Sequence, residues 1–521
     1  MKKVLTLTVA AFLFLFVSSQ PLTSSSLSST VTHIAVSANG VFVSTATQVY
    51  RFSPTLQQIE DPLGSLGGTV NGIASTSDGE WCIVCTDAGG ITCSVLNGPN
   101  FEAPANRTVT NSGTATSLVV FTGGDGNSFY TGSYVNQHIL YRQYGFASSA
   151  LSRSTNAGDQ QASFFNRVFV SGFFASGYAY YVVSDPPTSG ANRRLRIVRV
   201  CNDSAANGFN NQYELTLGCD GNAAFFSPTL IDVSVINEET LLIAIRADSV
   251  DDICSYNLSK INSLMDAAYK SCVVDGTGNK NVFWQSSVTC SGGSPGLSGS
   301  ICSISDSRSG TPAPAVGASN PLTPTSLITN TTILNGLTAI VGLSIDNIDF
   351  IYFAFTLNSN NYISKYQLVN STSLTFVSQD TSTSPVTSLF WSQGSEYVYG
   401  ISGSNVIGLK IEDCSSATSC SECVSLGDPS CGWCMIENKC SRRPFCHKTR
   451  QYLTQYKNCT GQKYGNSANS FYFGLMTNIK GWLTVSTLSS LSVTYDITVE
   501  SFNYVHNGVF SNTFYFFWRT I

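Results

Sequence analysis

The sequence predicts an all-β fold, a seven-bladed β-propeller followed by a small disulfide-rich module. Three observations lead to this prediction. A unit of short strands separated by glycine-containing turns recurs along the chain, six cysteines lie between residues 420 and 446, and charged residues make up only 11% of the 521 residues. Soluble proteins usually carry about 25% charged residues. Here Ser, Thr, Asn and Gly occupy most polar positions instead.

The repeated unit is an antiparallel sheet of three or four strands joined by tight turns. Its clearest copies turn at Asn-Gly, Asp-Gly and Gln-Gly pairs and occupy residues 32–52, 71–96 and 387–411. Asn-Gly and Asp-Gly favour hairpins because both residues tolerate positive φ. Looser copies occupy residues 118–142, 164–201, 229–247 and 337–368. Seven such units predict a propeller whose N-terminal strand completes a blade with the last unit, which removes an exposed sheet edge. A pair of β-sandwiches is the alternative.

One stretch departs from the β pattern. Ile261, Leu264, Met265 and Ala268 have the i, i+3, i+4, i+7 spacing of an amphipathic helix. The stretch lies in an interruption of the repeat, roughly residues 248–335, between the fifth and sixth units. We therefore expect a helical insertion between two blades.

The N-terminus has the pattern of a secretory signal peptide. Two lysines precede an apolar run from Val4 to Val17, and small residues follow before Gln20. The run is too short to span a membrane as a helix. Residues 1–19 are therefore predicted to be removed, and the mature chain is expected to fold in an oxidising compartment.

The compartment decides how the cysteines are interpreted. Cys420-x-x-Cys423 and Cys431-x-x-Cys434 would suggest zinc or a redox motif in the cytosol, whereas after secretion they predict disulfides. Asn-x-Ser/Thr sequons agree with an exported, glycosylated surface. The six sequons begin at Asn106, Asn202, Asn257, Asn330, Asn370 and Asn458.

The cysteine cluster resembles the PSI domain, a module shared by plexins, semaphorins and integrins. Eight cysteines and one tryptophan agree in spacing with this domain. The segment DPSCGWCMIENKCSRRPFC is most similar to that of a plexin. The matching residues are Cys414, Cys420, Cys423, Cys431, Trp433, Cys434, Cys440, Cys446 and Cys459. A PSI module after seven β units resembles the extracellular start of a plexin, which implies a sema propeller over residues 20–412 and a PSI domain over 413–460. Residues 461–521 form a β-like tail without an assigned fold, the possible start of a further domain.

The resemblance also implies a disulfide pairing, which cysteine spacing alone cannot select. In the propeller the implied pairs are Cys85–Cys93, Cys201–Cys302, Cys219–Cys254 and Cys272–Cys290. In the PSI domain they are Cys414–Cys431, Cys420–Cys459, Cys423–Cys440 and Cys434–Cys446. Cys82 is left over, either as a buried thiol or as one half of an intermolecular disulfide. Trp433 is expected to pack against the cysteine cluster, because so small a domain has little other core.

The sequence argues against several classes of function. A net charge of -5 without a basic stripe argues against nucleic acid as a partner. Two pairs of adjacent acids, Glu238-Glu239 and Asp251-Asp252, are interpreted as a solvated edge rather than as catalytic carboxylates. No nucleophile elbow or phosphate loop occurs in the sequence. We therefore expect no enzymatic activity, no cofactor, no metal and no small-molecule substrate.

The remaining interpretation is a binding protein, secreted or displayed on the extracellular face of the plasma membrane. The resemblance to plexins implies a semaphorin partner bound through the sema propeller, and sema–sema self-association is a further expectation. A semaphorin-type ligand is the alternative, although semaphorins usually carry an immunoglobulin domain with its own cysteine pair and no cysteine follows Cys459. A sema–PSI adhesion protein without a semaphorin partner is a third candidate. The residues that contact the ligand have no sequence motif. The sequence ends about sixty residues after the cluster, which suggests a soluble splice form, a truncated gene model or a divergent secreted member.

Overall fold

A computed structural model gives the fold of two compact units, Met1–Glu412 and Asp413–Ile521. The predicted leader, residues 1–19, lies outside the residues that the structure describes. Those are residues 22–63, 66–97, 108–112, 117–134, 138–144, 146, 152–155, 168–185, 194–201, 212–219, 229–247, 250–271, 279–282, 285–289, 315–316, 322–329, 336–370, 373–435, 437–446, 452–454, 495–498 and 503–506.

The described chain is almost entirely β. The strands are β1 (Leu22–Ser26), β2 (His33–Ser37), β3 (Gly40–Ser44), β4 (Val49–Phe52), β5 (Thr69–Ser75), β6 (Trp81–Asp87), β7 (Gly90–Asn97), β8 (Thr108–Ser112), β9 (Ser117–Thr122), β10 (Ser128–Tyr134), β11 (His138–Tyr144), β12 (Ser152–Thr155), β13 (Val168–Ala175), β14 (Tyr178–Asp185), β15 (Arg194–Cys201), β16 (Gln212–Leu217), β17 (Thr229–Ile236), β18 (Thr240–Ala247), β19 (Val250–Asn257), β20 (Asn279–Val282), β21 (Gln285–Thr289), β22 (Ala315–Val316), β23 (Ser326–Thr329), β24 (Leu337–Ile345), β25 (Ile348–Leu357), β26 (Asn360–Asn370), β27 (Ser373–Ser382), β28 (Ser388–Phe390), β29 (Tyr397–Ser402), β30 (Asn405–Lys410), β31 (Cys431–Cys434), β32 (Lys439–Arg442), β33 (Tyr452–Leu453), β34 (Tyr495–Thr498) and β35 (Asn503–His506). The helices are α1 (Leu258–Tyr269) and α2 (Cys420–Ser425), with 3-10 turns at Cys414–Ser416 and Arg443–Phe445.

The first unit is the predicted seven-bladed propeller. Its described strands form seven blades, which are β2-β3-β4, β5-β6-β7-β8, β9-β10-β11-β12, β13-β14-β15-β16-β22, β17-β18-β19-β23, β24-β25-β26-β27 and β28-β29-β30-β1. The first strand of each blade, from β2 to β28, lies against the first strands of the neighbouring blades. The last of these strands, β28, returns to β2. This adjacency closes a ring and excludes the sandwich alternative.

The N-terminal strand completes the seventh blade. β1 pairs antiparallel with β30, with Leu22 opposite Leu409 and Ser26 opposite Asn405. The pairing joins the start of the first unit to its end, as the repeat pattern predicted. It also covers the edge of β30, which would otherwise present unpaired N–H and C=O groups.

The core consists of the apolar seams between blades. Ile236 and Leu242 of the fifth blade, for example, share one cluster with Ile340 and Phe353 of the sixth. Gly342 allows this close approach, because a Cβ there would lie 2.4 Å from Cγ1 of Ile236. Each blade alone would leave its two faces exposed, so the ring is stable only as a whole.

The interruption in the repeat contains the predicted helix but lies at a different place. α1 spans Leu258–Tyr269, as the apolar spacing predicted. The strands β19 and β23 on either side of it are the third and fourth strands of the fifth blade, however. The insertion therefore lies within that blade, and the prediction of an insertion between the fifth and sixth units is wrong. Its strand β22 also extends the fourth blade, parallel to β16.

The second unit begins at Asp413 and contains a short helix and a small sheet. Ser419 caps α2 through a capping box, in which its side chain accepts from the backbone of Glu422 and the Glu422 carboxylate accepts in return. The sheet has the order β32-β31-β33. Except for β34 and β35, which pair with each other, the tail of residues 461–521 lies outside the described residues.

Candidate functional site

The second unit is built around disulfides. Cys414 is bonded to Cys431 and Cys423 to Cys440, with Cα–Cα distances of 5.4 and 5.5 Å. These are two of the four pairs that the PSI resemblance implied. Cys420 is also disulfide-bonded, and its implied partner Cys459 lies outside the described residues. The bonds attach the 3-10 turn and α2 to the hairpin of β31 and β32.

Trp433 occupies the centre of this cluster. Its side chain is buried and packs with Cys414, Cys423, Cys431 and Cys440. The expected packing of the tryptophan against the cysteines is therefore observed. A unit of this size has few other apolar side chains with which to exclude water.

The fourth implied PSI pair differs from the others. No S–S bond joins Cys434 and Cys446 in the structure. Their two sulfurs and a carboxylate oxygen of Glu437 all lie within 4.8 Å of one another. A structural zinc site needs four ligands, and among the described residues this group offers three. The Cys434–Cys446 bond stays a prediction, and peptide mapping of the non-reduced, secreted protein tests it.

Disulfides also stabilise the propeller. Cys85 and Cys93 face each other across β6 and β7 and are bonded. The Cys219–Cys254 bond links the end of the fourth blade to β19 of the fifth. Cys201 is disulfide-bonded. Its implied partner Cys302 and the implied pair Cys272–Cys290 lie outside the described residues.

Cys82 is a buried thiol without a disulfide. It packs in the seam between the first and second blades, whereas Cys85, on the same strand, packs in the next seam. Burial raises the pKa of Cys82 far above its usual value, because the thiolate would be desolvated. This placement favours the buried-thiol interpretation over an intermolecular disulfide.

The interpretation of Asp251 and Asp252 as a solvated edge is wrong. Both are buried on β19. Asp251 accepts two bonds from Arg246, at 2.6 and 2.9 Å, and a third from the backbone N–H of Leu337 in the sixth blade. An ion pair with these hydrogen bonds offsets the desolvation of the carboxylate. Asp251 therefore joins two blades, and it is not placed as a catalytic acid.

One end of the propeller carries the first-turn rim, defined as the seven turns between the first and second strands of the blades. Neighbouring turns are hydrogen-bonded: Asn39 donates to the carbonyl of Asp78 at 2.9 Å, and Ser176 donates its N–H to Glu238 at 2.9 Å. The described turns contain seven carboxylates and no lysine or arginine. The carboxylates belong to Asp78, Glu80, Asp125, Glu238, Glu239, Asp346 and Glu396. The first-turn rim is thus an acidic surface held in place by contacts between blades.

Two of the six sequons fall on described residues. Asn257 is the N-cap of α1, and its Oδ1 accepts the N–H of Lys260 at 3.0 Å. Asn370 ends β26, and its backbone lies opposite Ser373. Asn106, Asn202, Asn330 and Asn458 lie outside the described residues.

Among the described residues, α1 and α2 are both too short to cross a bilayer, and no other helix with the length and hydropathy of a membrane span is present.

Sequence comparisons agree with this organisation. Residues 413–462 match the family model of the PSI plexin repeat. Plexin A3 of Danio rerio is 43% identical over 67 residues, which are 12% of this chain and 4% of that protein. Plexin-A2 of Mus musculus is 24% identical over 328 residues, which are 55% of this chain and 16% of that protein. The chain thus spans less than a fifth of the length of these curated relatives.

Solved structures show the same fold. The plexin A4 extracellular region superposes with a TM-score of 0.64 at 15% identity, covering 85% of this chain and 52% of that one. A structure described as Drosophila Plexin A in complex with Semaphorin 1b gives 0.52 at 16% identity, with 84% and 97% covered. Drosophila Semaphorin 1b itself gives 0.55 at 15% identity, with 84% and 96% covered. The fold is therefore common to a plexin and a semaphorin, whereas the two relatives compared by sequence above are plexins.

Proposed function

We propose that this chain, a plexin-like protein in which a sema propeller is followed by a PSI module, is the ligand-binding head of a receptor and binds a semaphorin. One observation carries the proposal: the sequence similarity to plexins is not confined to the fifty residues of the PSI match but covers 55% of the chain. The solved complex of a plexin with a semaphorin supports the class of partner. The proposed location is outside the cell, secreted or at the membrane surface.

The first-turn rim is the proposed binding surface, and the PSI module is not. The seven carboxylates of the first-turn rim suit a partner that presents a basic patch. Electrostatic complementarity of this kind raises the association rate and contributes to specificity. We expect an interface of about 1,600 Å² in total, an area that does not by itself set the affinity.

Surface binding assays against each semaphorin of the same organism test the proposal. The purified chain, with its disulfides intact, is expected to bind at least one of them at micromolar concentration or below. Folded protein that binds none would contradict the proposal and favour an adhesion protein without a semaphorin partner.

A second experiment tests the surface. Glu80, Glu239 and Glu396 are exposed on the first-turn rim, and the triple charge reversal to lysine is expected to weaken binding at least about tenfold, mainly through slower association. Thr47→Lys is the matched control, since Thr47 is exposed in the turn between β3 and β4, at the other end of the strands. Equal binding by both variants would rule out the first-turn rim while leaving the partner class intact.

A further inference from the structure

Each blade has an outermost strand, and among the described residues most of these strands have an unpaired outer edge, although Val49 and Phe52 of β4 bridge to Leu63 and Gln58. Within the described residues these strands are β4, β8, β12, β22, β23, β27 and β1, in blade order. An open edge presents unpaired N–H and C=O groups to other chains, and proteins protect such edges with short strands, charges, proline or a cover. Most of these strands are short, with two to five residues.

β27 lacks the short length, the proline and the exposed charge that protect other edges. It is ten residues long, Ser373–Ser382, and it contains no lysine, arginine or proline. Its one charged residue, Asp380, is buried. An uncharged, extended edge of this length favours pairing between copies of the chain.

The same edge exposes apolar side chains. Phe376 is 41% exposed and Val369, on the neighbouring strand β26, is 56% exposed. The pairing of β26 with β27 shifts between Leu368 and Asn370, so the ladder passes over Val369. Phe376 contacts the ring of Tyr366, with centroids 5.5 Å apart, but part of its surface remains in solvent. Exposed apolar groups next to an open edge make association more favourable.

A glycosylation sequon lies at the end of this edge. Asn370-Ser371-Thr372 connects β26 to β27, and the backbone of Asn370 lies opposite Ser373, the first residue of β27. Two other outermost strands are also bordered by sequons in the sequence: Asn106 precedes β8 by two residues, and Asn330 directly follows β23. The outermost strands β4 and β12 instead contain an arginine each.

We propose that N-linked glycans at Asn370, Asn106 and Asn330 protect the outer edges of the sixth, second and fifth blades, and that the Asn370 glycan keeps β27 from pairing with a second copy of the chain. An N-glycan is bulky and strongly hydrated, so a strand could approach the edge only by displacing it. The reaction joins the side-chain nitrogen of Asn370 to the first sugar of a lipid-diphosphate-linked oligosaccharide. The nitrogen loses a proton and the lipid diphosphate leaves. This proposal requires passage through the secretory pathway but not semaphorin binding.

Secreted protein from eukaryotic cells provides the test. Peptide mapping with and without glycosidase is expected to find Asn370 occupied. Asn370→Gln and Thr372→Ala, which remove the same sequon in different ways, are each expected to form oligomers at a concentration about tenfold lower than the wild type, as measured by light scattering after gel filtration. Phe376→Lys in the Asn370→Gln background places a charge on the edge and is expected to restore the monomer.

Ser259→Ala is the matched control. It removes the sequon at Asn257, which borders α1 rather than an outermost strand, and it keeps Asn257 as the helix cap. This variant is expected to stay monomeric. If the Asn370 variants are not secreted, trimming the glycans of folded wild-type protein with an endoglycosidase gives the same readout. An unoccupied Asn370, or glycan-free protein that remains as monomeric as the wild type, overturns the proposal.

Discussion

Asp232 provides a quantitative test of how the blades are joined. It lies on β17, where one carboxylate oxygen accepts the N–H of Val233 at 2.8 Å and the other accepts the N–H of Ile340, in the next blade, at 3.0 Å. Burial raises its pKa to about 7, and the two backbone bonds offset only part of this effect. The carboxyl group therefore changes its charge within the physiological range.

The sign and size of the pH effect follow from this shift. The pKa in the folded protein exceeds the unfolded value of about 3.9, so the fold favours the protonated form. This contribution is fully present below about pH 4 and is lost as the pH rises through about 7. A difference of about 3 pKa units corresponds to about 4 kcal/mol. Asp232 as a residue is only partly buried, and because water near the carboxyl group weakens the desolvation, we expect about half of this value, about 2 kcal/mol.

Asp232→Asn removes the titration. At every pH the variant is expected to lose about 1 kcal/mol of unfolding free energy, because one hydrogen bond is altered. The wild type alone is expected to lose about 2 kcal/mol more as the pH rises from 4.5 to 8, so the difference between variant and wild type shifts by about 2 kcal/mol in favour of the variant. Urea unfolding followed by tryptophan fluorescence at several pH values measures this. Ser234→Ala is the control, because Ser234 accepts the N–H of Gly342 at 2.9 Å across the same seam without titrating. A difference between Asp232→Asn and wild type that does not change with pH would refute the reasoning.

Three further changes test other contacts. Cys414→Ser opens a loop with a sequence separation of 17, which should lower the free energy of unfolding by about 3 kcal/mol through chain entropy. The amount of secreted protein should therefore fall. An unchanged secreted yield and unchanged unfolding would contradict this. Arg199→Met removes the bonds from buried Arg199 to Asn262 and Asp266 of α1. The attachment of α1 should weaken by about 2–3 kcal/mol, so limited proteolysis should cut α1 sooner. Unchanged protection of α1 would contradict this role of Arg199. Deleting residues 22–26 removes β1 from the seventh blade and should destabilise the whole first unit. A shortened protein that still unfolds cooperatively with wild-type stability would refute ring closure through β1.

Local pattern was sufficient for much of the fold. Alternating apolar residues and turn pairs such as Asp78-Gly79 predicted seven strand units, because both strand pairing and tight turns depend on neighbouring residues. The apolar spacing around Ile261 likewise predicted α1. The PSI cysteines were recognisable from their spacing, since a module of this size depends on its disulfides.

The contacts between blades could not be predicted in this way. The sequence did not predict β19 because Asp251 and Asp252 look like solvent-exposed loop residues. Burial of Asp251 becomes favourable through its bonds from Arg246 and from the backbone of Leu337, which is 86 residues away in the sequence. The position of the insertion within the fifth blade was missed for the same reason. The acidic first-turn rim also exists only in the closed ring, which brings together turns that are far apart in sequence.

The amino-acid sequence by itself thus determined the strands, their turns, α1 and the cysteine spacing, because each depends on residues close together in the chain. Only the tertiary structure decided which acids are buried, which cysteines meet and which edges remain open. Cys219 meets Cys254 across two blades, and β27 keeps an exposed edge beside Phe376. The physical reason is that ring closure brings together residues that are far apart in the chain, and these contacts set which groups are buried and which are paired. Contacts between distant residues leave no periodicity in the sequence.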